Sequence, residues 1–199
     1  MQNNRHVVIF ARAPCYGRVK RRLAKDIGNL HASYFYRKNL INLMQELRVG
    51  KWHTHMSLAS AQDARHPLFS GMSRLVQSEG DLGSRMRSVF QQFKNEKVII
   101  VGSDIHGISR SHIETAFSAL HEHDLVFGPA FDGGFWLVGR GLIRAPGWHF
   151  MNGVRWSTQF ALKDTLETVA TGHRVAQVMQ LHDIDDGASY DKFYRQNND

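Results

Sequence analysis

Cysteine is almost absent from this chain, whose 199 residues include only Cys15. A single cysteine excludes an internal disulfide and is typical of a reducing compartment. Long apolar runs are absent too, and none approaches the ~20 residues that span a bilayer. The amino terminus lacks the pattern of a signal peptide, because the apolar segment 7–10 is short and Arg12 follows it. We therefore expect a cytoplasmic protein without a membrane span.

Acidic residues are fewer than basic ones, with 18 Asp and Glu against 25 Lys and Arg and a formal net charge of +7. Neither an arginine-rich tail nor a zinc-finger spacing nor an aromatic ribonucleoprotein motif accompanies this excess, so we expect no nucleic-acid partner. A local cluster suits a small polyanion such as a nucleoside diphosphate equally well. Part of the excess lies within one short stretch, at Arg5, Arg12, Arg18, Lys20, Arg21 and Arg22.

Hydrophobic residues make up 42% of the chain and charged residues 22%, which favours a packed core over disorder. Short β-branched runs alternate with segments of helical spacing, and no long linker or repeat interrupts them. This alternation predicts six or seven strands with helices between them. We therefore expect an α/β three-layer fold in a single domain over residues 1–199.

The stretch 97–107 carries the pattern of a central strand. Residues 98–101 are β-branched without interruption, as in a strand buried on both faces. The run stops at Gly102, Ser103 and Asp104, and ligands of open α/β sheets bind beyond the carboxyl ends of strands. An aspartate there can hold a metal ion or a ribose. The alternative is that Asp104 only caps the following turn.

A first buried strand is predicted over 6–11, and Pro14 and Gly17 mark the loop after it. Cations at 20–22 then begin a helix, where backbone N–H groups and the helix dipole favour an anion. The loop is not a Walker A motif, because the spacing of glycine and lysine differs. This region can bind phosphate, or it can be a solvated basic helix face.

A second turn with an arginine precedes a helix predicted over 82–93. Gly80 and Gly83 flank Asp81, and Arg85 falls in the first helical turn. A cation in that turn opposes the helix dipole, which indicates a partner such as a phosphate or an acidic side chain. The alternative is an ordinary exposed arginine.

Two acidic patterns complete the candidate site. Asp132, Gly133 and Gly134 predict a turn whose glycines let the backbone approach a ligand closely. Asp183 and Asp185 alternate, which brings two carboxylates within reach of one divalent cation. Their alternative role is to cap the terminal helix.

Two further patterns are weaker. His53 and His55 fall on one face of a predicted strand, but a histidine pair binds a metal firmly only with additional ligands. Ser157 or Thr158 is predicted to cap a helix over 159–170.

Six sequence blocks occur in a fixed order between residues 7 and 190. They are Phe-Ala-Arg-Ala-Pro-x-x-Gly-x-Val-Lys-x-Arg-Leu, Glu-Gly-Asp-Leu-Gly-x-Arg-Met, Val-Gly-Ser-Asp, Gly-Pro-Ala-x-Asp-Gly-Gly-Phe-Trp-Leu-Val-Gly, Trp-Ser-Thr and Asp-Ile-Asp. Together they resemble a bacterial family described as glycosyltransferase-like or as nucleotide-diphospho-sugar transferases, the domain-of-unknown-function 2064 group. The resemblance implies a three-layer Rossmann-like sandwich with a mostly parallel mixed sheet, of the GT-A type.

The resemblance also implies roles for individual residues. Nucleotide phosphates would be bound by Ala13, Pro14, Gly17, Lys20, Arg22, Arg85 and Ser103. Asp104 and Asp132 would be catalytic, and Gly133, Gly134 and Trp156 would line the acceptor or sugar side. Mg²⁺ or Mn²⁺ would be held by Asp104, Asp183 and Asp185. The cation and the basic side chains would stabilise charge that develops on the leaving phosphates.

The implied activity is metal-dependent transfer from a nucleotide-activated sugar, so the partner is a nucleotide or nucleotide sugar. One alternative is a nucleotidyltransferase that joins a nucleoside triphosphate to a phosphorylated small molecule, as related guanylyltransferases do. Another is a nucleotide-binding protein without turnover. Nucleotide base, sugar, acceptor, choice of metal and oligomeric state all stay open.

Three positions depart from the family pattern. Arg21 replaces a usual threonine, and Phe135 replaces a tyrosine that often follows Asp-Gly-Gly. His106 stands where the family usually has proline, which predicts a looser loop beside Asp104. Four aromatic residues are expected in the core, an acceptor groove or a dimer face: Trp136, Trp148, Phe150 and Trp156.

Overall fold

The computed structural model describes residues 4–142, 147 and 149–196. Its strands are β1 (Arg5–Ala11), β2 (His53–Leu58), β3 (Ser73–Val76), β4 (Lys97–Gly102), β5 (Leu125–Pro129), β6 (Phe135–Arg140) and β7 (Val175–Gln177). Its α-helices are α1 (Leu23–Ile27), α2 (Asn29–Arg48), α3 (Ala61–Ala64), α4 (Leu82–Gln92), α5 (Arg110–Ala119), α6 (Ala161–Glu167) and α7 (Gly187–Gln196), with a 3₁₀ turn at Pro67–Phe69.

The strands form one sheet in the order β3-β2-β1-β4-β6-β5-β7. Among the strands that the structure describes, β6 alone runs antiparallel to its neighbours β4 and β5. The remaining neighbours pair in parallel. This arrangement confirms the mostly parallel mixed sheet, and β4 takes the central place that its β-branched run predicted.

Helices cover both faces of the sheet. Leu40 and Leu47 of α2 pack with Ile113 and Phe117 of α5 on one face. Apolar residues of α4 and α6 pack on the other face, around Phe127 and Val138 of the sheet: Met86, Val89, Phe90, Leu162 and Leu166. Two apolar layers separated by a sheet define the three-layer sandwich that the sequence predicted.

A third, smaller apolar cluster contains the buried side chains of Leu23, Phe35 and Ile184. It joins α1 and α2 to the segment before α7. None of the helices in the described part of the chain is long and apolar enough to cross a membrane.

The helix predicted over 159–170 is shorter in the structure, where it is α6 and spans Ala161–Glu167. Phe160 occupies its cap position without a side-chain hydrogen bond. Thr158 instead donates to the Arg155 carbonyl oxygen at 2.7 Å and accepts from the Phe160 N–H at 3.2 Å. Ser157 has a φ of 60°, outside the helical region. A local turn therefore uses the two residues that were expected to cap the helix.

Candidate active site

A cleft of about 390 Å³ opens at the carboxyl ends of β1 and β4 and beside the turn between β5 and β6. The segment before α7 closes its far side. Among the residues that line it, eight belong to the candidate set of the sequence: Arg22, Ser103, Asp104, Asp132, Gly134, Trp156, Asp183 and Asp185. The fold thus brings four carboxylates from three distant segments to the edge where ligands of such sheets bind.

Lys20 links these segments. Its ammonium donates to Asp185 Oδ1 at 2.6 Å and lies 3.3 Å from Asp104 Oδ1, and its side chain is only 4% exposed. Burial alone lowers the pKa of Lys20, but Asp104 and Asp185 outweigh that effect and raise it above the ordinary value. Lys20 is therefore a fully charged, buried cation between two carboxylates.

Asp183 enters the site through isolated β-bridges. Ile105 pairs with Asp183, and Ala130 pairs with Leu181, so one segment joins the loops after β4 and β5. Burial raises the pKa of Asp183, and the nearby Asp132 and Asp185 carboxylates raise it further. The carboxylates therefore repel one another, and the cleft has more negative charge than Lys20 and Arg22 can balance.

The turn at 132–134 fixes one of these carboxylates. Asp132 Oδ1 accepts the Gly134 N–H at 2.8 Å, which leaves Oδ2 for another partner. Gly133 has a φ of +86°, and an added Cβ would lie 2.1 Å from the Gln159 carbonyl oxygen. Gly133 is thus required for close packing on the segment before α6, a role that the sequence did not suggest.

Some residues of the loop after β1 are buried in the core, and others are exposed on the surface. Ala13 is 3% exposed and packs in the core. Gly17 has a φ of +69° with open space around it, whereas Arg12, Arg21 and Arg22 are exposed. Among described residues, six of the predicted positions lie outside the cleft lining: Ala13, Pro14, Gly17, Lys20, Arg85 and Gly133. Their roles in binding stay predictions.

Arg85 contacts the turn that precedes its own helix. Its Nε donates to the Gly80 carbonyl oxygen at 3.1 Å, and Nη1 donates to Gln77 Oε1 at 3.3 Å. These bonds account for a cation in the first turn of α4 by local structure. Its predicted contact with phosphate stays a prediction.

The aromatic residues separate into core and cleft. Trp136 and Phe150 are 2% and 1% exposed and pack in the core, and Trp136 also lines the cleft. Trp156 lines the cleft, where its Nε1–H donates to Asp81 Oδ2 at 3.2 Å. Trp148 lies outside the described residues, so its expected place stays a prediction.

The loop after Asp104 is tied down despite its missing proline. His106 Nδ1 donates to Asn39 Oδ1 at 3.0 Å, and the Asn39 amide donates to carbonyl groups of the same loop. These hydrogen bonds restrain the loop in place of the proline, and the expectation of a looser loop stays a prediction. Sequence reasoning missed Asn39 and its neighbour Tyr36, although their place on the apolar stripe of α2 was a readable signal.

No group of three or more His, Cys, Asp or Glu within the described residues is arranged to hold a metal ion by itself. His55 contacts His6 and Ser73 near the amino ends of the strands, away from the cleft. The predicted pair of His53 and His55 therefore forms no such site. The carboxylates of the cleft still suit Mg²⁺ or Mn²⁺, since Mg²⁺ is commonly held by one or two carboxylates together with substrate phosphates.

The sheet order, the two helical layers and the cleft at the carboxyl edge define a nucleotide-diphospho-sugar transferase fold. The model of a family of uncharacterized proteins conserved in bacteria, DUF2064, matches residues 43–158, and the chain belongs to this family. No curated protein sequence matches the chain significantly.

Solved structures share the fold. The proposed nucleotide-diphospho-sugar transferase of Desulfovibrio desulfuricans G20 is 26% identical with a TM-score of 0.87, over 98% of this chain and 88% of that one. A CMP:2-keto-3-deoxy-manno-octonic acid synthetase complexed with CTP is 10% identical with a TM-score of 0.50, over 98% of each chain. A manganese complex of Rv0371C from Mycobacterium tuberculosis H37Rv is 12% identical with a TM-score of 0.50, over 96% and 98%. The last two show the fold alone.

Proposed function

We propose that this protein is a Mg²⁺- or Mn²⁺-dependent transferase that acts on a nucleotide-activated sugar. The observation that carries the proposal is the convergence of Asp104, Asp132, Asp183 and Asp185 in one cleft, where the buried Lys20 pairs with Asp104 and Asp185. The relative from Desulfovibrio desulfuricans G20, itself a proposed nucleotide-diphospho-sugar transferase, supports the substrate class.

The charge of the cleft supports dependence on a divalent cation. A diphosphate would meet four carboxylates with only Lys20 and Arg22 to balance them, and like charges at short range repel strongly. Burial raises the pKa of Asp183, and the neighbouring Asp132 and Asp185 carboxylates raise it further, which is consistent with this repulsion. When bound, a divalent cation supplies the charge that stabilises the leaving phosphates. Asp104, Asp183 and Asp185 are the residues we propose to hold it.

The basic residues and the loop after β1 are assigned to the nucleotide phosphates. Lys20 is charged and buried, and Arg22 is exposed at the rim of the cleft. We assign Ser103 to the same side because it lines the cleft beside Asp104. The remaining proposed phosphate contacts are Ala13, Pro14, Gly17 and Arg85.

Asp132 is assigned to the acceptor side together with Gly133, Gly134 and Trp156. With Oδ1 held by the Gly134 N–H, its Oδ2 can take the proton of an acceptor hydroxyl. The acceptor oxygen then bonds to the sugar carbon as the bond from that carbon to the diphosphate breaks. The leaving group departs as a nucleoside diphosphate towards Lys20.

We further propose that residues 1–199 form a single GT-A-like domain. A cytoplasmic location is proposed with it, supported by the single cysteine.

The first test is thermal unfolding of the purified protein against nucleotides and nucleotide sugars, each with and without Mn²⁺. A ligand at 100 times its dissociation constant stabilises the fold by ~2.7 kcal/mol. For a chain of this length we expect the midpoint to rise by on the order of 5–10 °C, only with Mn²⁺ present. Asp104→Asn should abolish the shift. Glu122→Gln, an exposed change near the amino end of β5, should keep it.

Product analysis then separates the two chemistries. Sugar transfer releases a nucleoside diphosphate, whereas nucleotidyl transfer from a triphosphate releases pyrophosphate. Pyrophosphate as the product would replace the proposal with the nucleotidyltransferase. Unchanged midpoints across the whole panel, in wild type and Asp104→Asn alike, would overturn nucleotide binding altogether.

A further inference from the structure

Helix α2 carries two buried polar side chains one turn apart, Tyr36 and Asn39, which are 3% and 5% exposed. The same face of the helix buries Leu40 and Leu43 in the core. A polar group in such a place lowers stability unless it is hydrogen-bonded. Both side chains are hydrogen-bonded, and all their partners belong to the loops that form the cleft.

Asn39 holds the backbone on both sides of Asp104. Its Nδ2 donates to the carbonyl oxygens of Ser103 and Ile105, each at 3.0 Å. Its Oδ1 accepts from His106 Nδ1 at 3.0 Å. The reverse orientation of the amide would set its oxygen against two carbonyl groups, so this network fixes the orientation. A single side chain thereby restrains the residue before Asp104 and the two residues after it.

Tyr36 joins the loop after β1 to the end of β4. Its hydroxyl donates to the Arg12 carbonyl oxygen and accepts the Arg12 N–H, both at 3.1 Å, and it lies 3.1 Å from Ser103 Oγ. Burial, followed by the Asp104 charge, raises the pKa of Tyr36 to about 12, so the hydroxyl keeps its proton at neutral pH. Tyr36 therefore ties the loop that leads to Lys20 to the strand that leads to Asp104.

We propose that Asn39 and Tyr36 are positioning residues that set the place of Asp104 relative to Lys20. Neither residue lines the cleft, so both act through the two loops. Helix α2 packs in the core and thereby fixes the positions of two loops. One of them leads to the positively charged Lys20 and the other to the negatively charged Asp104. This proposal rests on the proposed function, because it assumes that the arrangement of Asp104 and Lys20 is used to bind a metal–nucleotide complex.

The test compares Asn39→Leu with Asn42→Leu. Leucine has a similar size but removes every hydrogen bond of Asn39, whereas Asn42 is exposed on the same helix. Mn²⁺ binding is measured by electron paramagnetic resonance in the presence of the nucleoside diphosphate that gives the largest thermal shift. We expect Asn39→Leu to weaken Mn²⁺ binding roughly 10- to 100-fold, as loss of an outer-sphere partner commonly does. Asn42→Leu should bind as wild type does.

Hydrogen exchange provides a readout that needs no ligand. Amides of residues 103–107 should exchange faster in Asn39→Leu than in Asn42→Leu, while those of β1 stay unchanged. Tyr36→Phe removes one oxygen atom without opening a cavity, so it serves if Asn39→Leu does not fold. It should weaken Mn²⁺ binding in the same direction and by a smaller factor.

The outcomes separate the two proposals. Wild-type Mn²⁺ affinity in Asn39→Leu and Tyr36→Phe, with unchanged exchange at 103–107, would overturn the positioning role and leave the transferase intact. If wild type binds no Mn²⁺ with any nucleotide, the proposed function fails, and the exchange rates still decide whether Asn39 holds the loop.

Discussion

Lys20 has a backbone conformation that lysine seldom adopts, with a φ of +46°. For a residue other than glycine this left-handed conformation costs roughly 1–2 kcal/mol. Ion pairs of the Lys20 side chain with Asp104 and Asp185 offset this backbone strain. The strained conformation is retained because it places a cation among carboxylates. Local strain of this kind is typical of binding sites that the surrounding fold holds in place.

Lys20→Met tests how much these ion pairs contribute to the stability of the fold. The change leaves two carboxylates without their shared cation, and they are 62% and 43% exposed, so water offsets part of the loss. We expect the free energy of unfolding to fall by about 1–2 kcal/mol in metal-free protein, as measured by urea denaturation. Adding Asp185→Asn to Lys20→Met should recover part of the lost stability, because it removes one of the two unpaired carboxylate charges.

Lys163→Met is the matched control for this prediction. Lys163 pairs with Glu167 at 4.0 Å with both side chains well exposed, so its loss should change stability by less than about 0.5 kcal/mol. Equal effects of the two lysine substitutions would show that the Lys20 pairs add nothing to the fold.

At the scale of elements, the turn between β5 and β6 is fixed by its fit to the segment before α6. The Gly133 carbonyl oxygen accepts the Leu162 N–H at 3.0 Å, and the backbone of Gly133 packs against Gln159. The hairpin thus positions Asp132 and the first residues of α6 together. A change in this turn should therefore reach both the carboxylate and the helix.

Gly133→Ala should destabilise the protein by about 2–3 kcal/mol. The new Cβ meets a backbone carbonyl that cannot move freely, and the positive φ adds its own strain. Gly71→Ala is the control, because Gly71 has a φ of +75° with open space around it and should cost only about 1 kcal/mol. Thermal unfolding measures both, and equal losses would contradict the steric part of the argument.

At the scale of the whole molecule, the fold was predictable because strand and helix periodicities differ along the chain. The β-branched run at 98–101 gave the central strand, and the ordered blocks predicted a mostly parallel sheet. Eight candidate residues do meet in the cleft because carboxyl ends of parallel strands share one edge.

The unpredicted features depend on contacts between distant residues. No local pattern pairs Lys20 with Asp185, 165 positions further along, or Asn39 with Ser103. The late start of α6 depends on the positive φ of Ser157, which sequence periodicity does not express. Periodicity reports which face of an element is apolar, whereas these details depend on which polar atoms meet after folding.

Acidification should weaken the whole fold through the amino-terminal edge of the sheet. His55 bonds to His6 at 2.9 Å and to Ser73 at 2.8 Å, and His6 bonds to Glu96. Burial, then the neighbouring His6 and His53, lowers the pKa of His55 to about 4, so the folded state favours its neutral form. Between pH 6.5 and pH 4 the unfolded chain binds a proton that the folded chain does not, and stability falls.

We expect this loss to be on the order of 1 kcal/mol, since His55 is only half-buried and water screens its charge. Urea denaturation between pH 7 and pH 4 measures it. His55→Gln should reduce the dependence on pH, and His31→Gln, at an exposed histidine, should leave it as in wild type. The same slope in His55→Gln and wild type would exclude His55 as the source.

Strand β1 has the histidine network near its first residue and the loop towards Lys20 after its last. Its seven residues span roughly 20 Å, and at that distance two unit charges interact by less than about 1 kcal/mol at an effective dielectric constant of about 20. A proton bound at the histidines is therefore hardly felt by the carboxylates of the cleft. The tolerance of the fold to acid can be adjusted at one end of the strand while the charge balance of the cleft, at the other end, is left as it is.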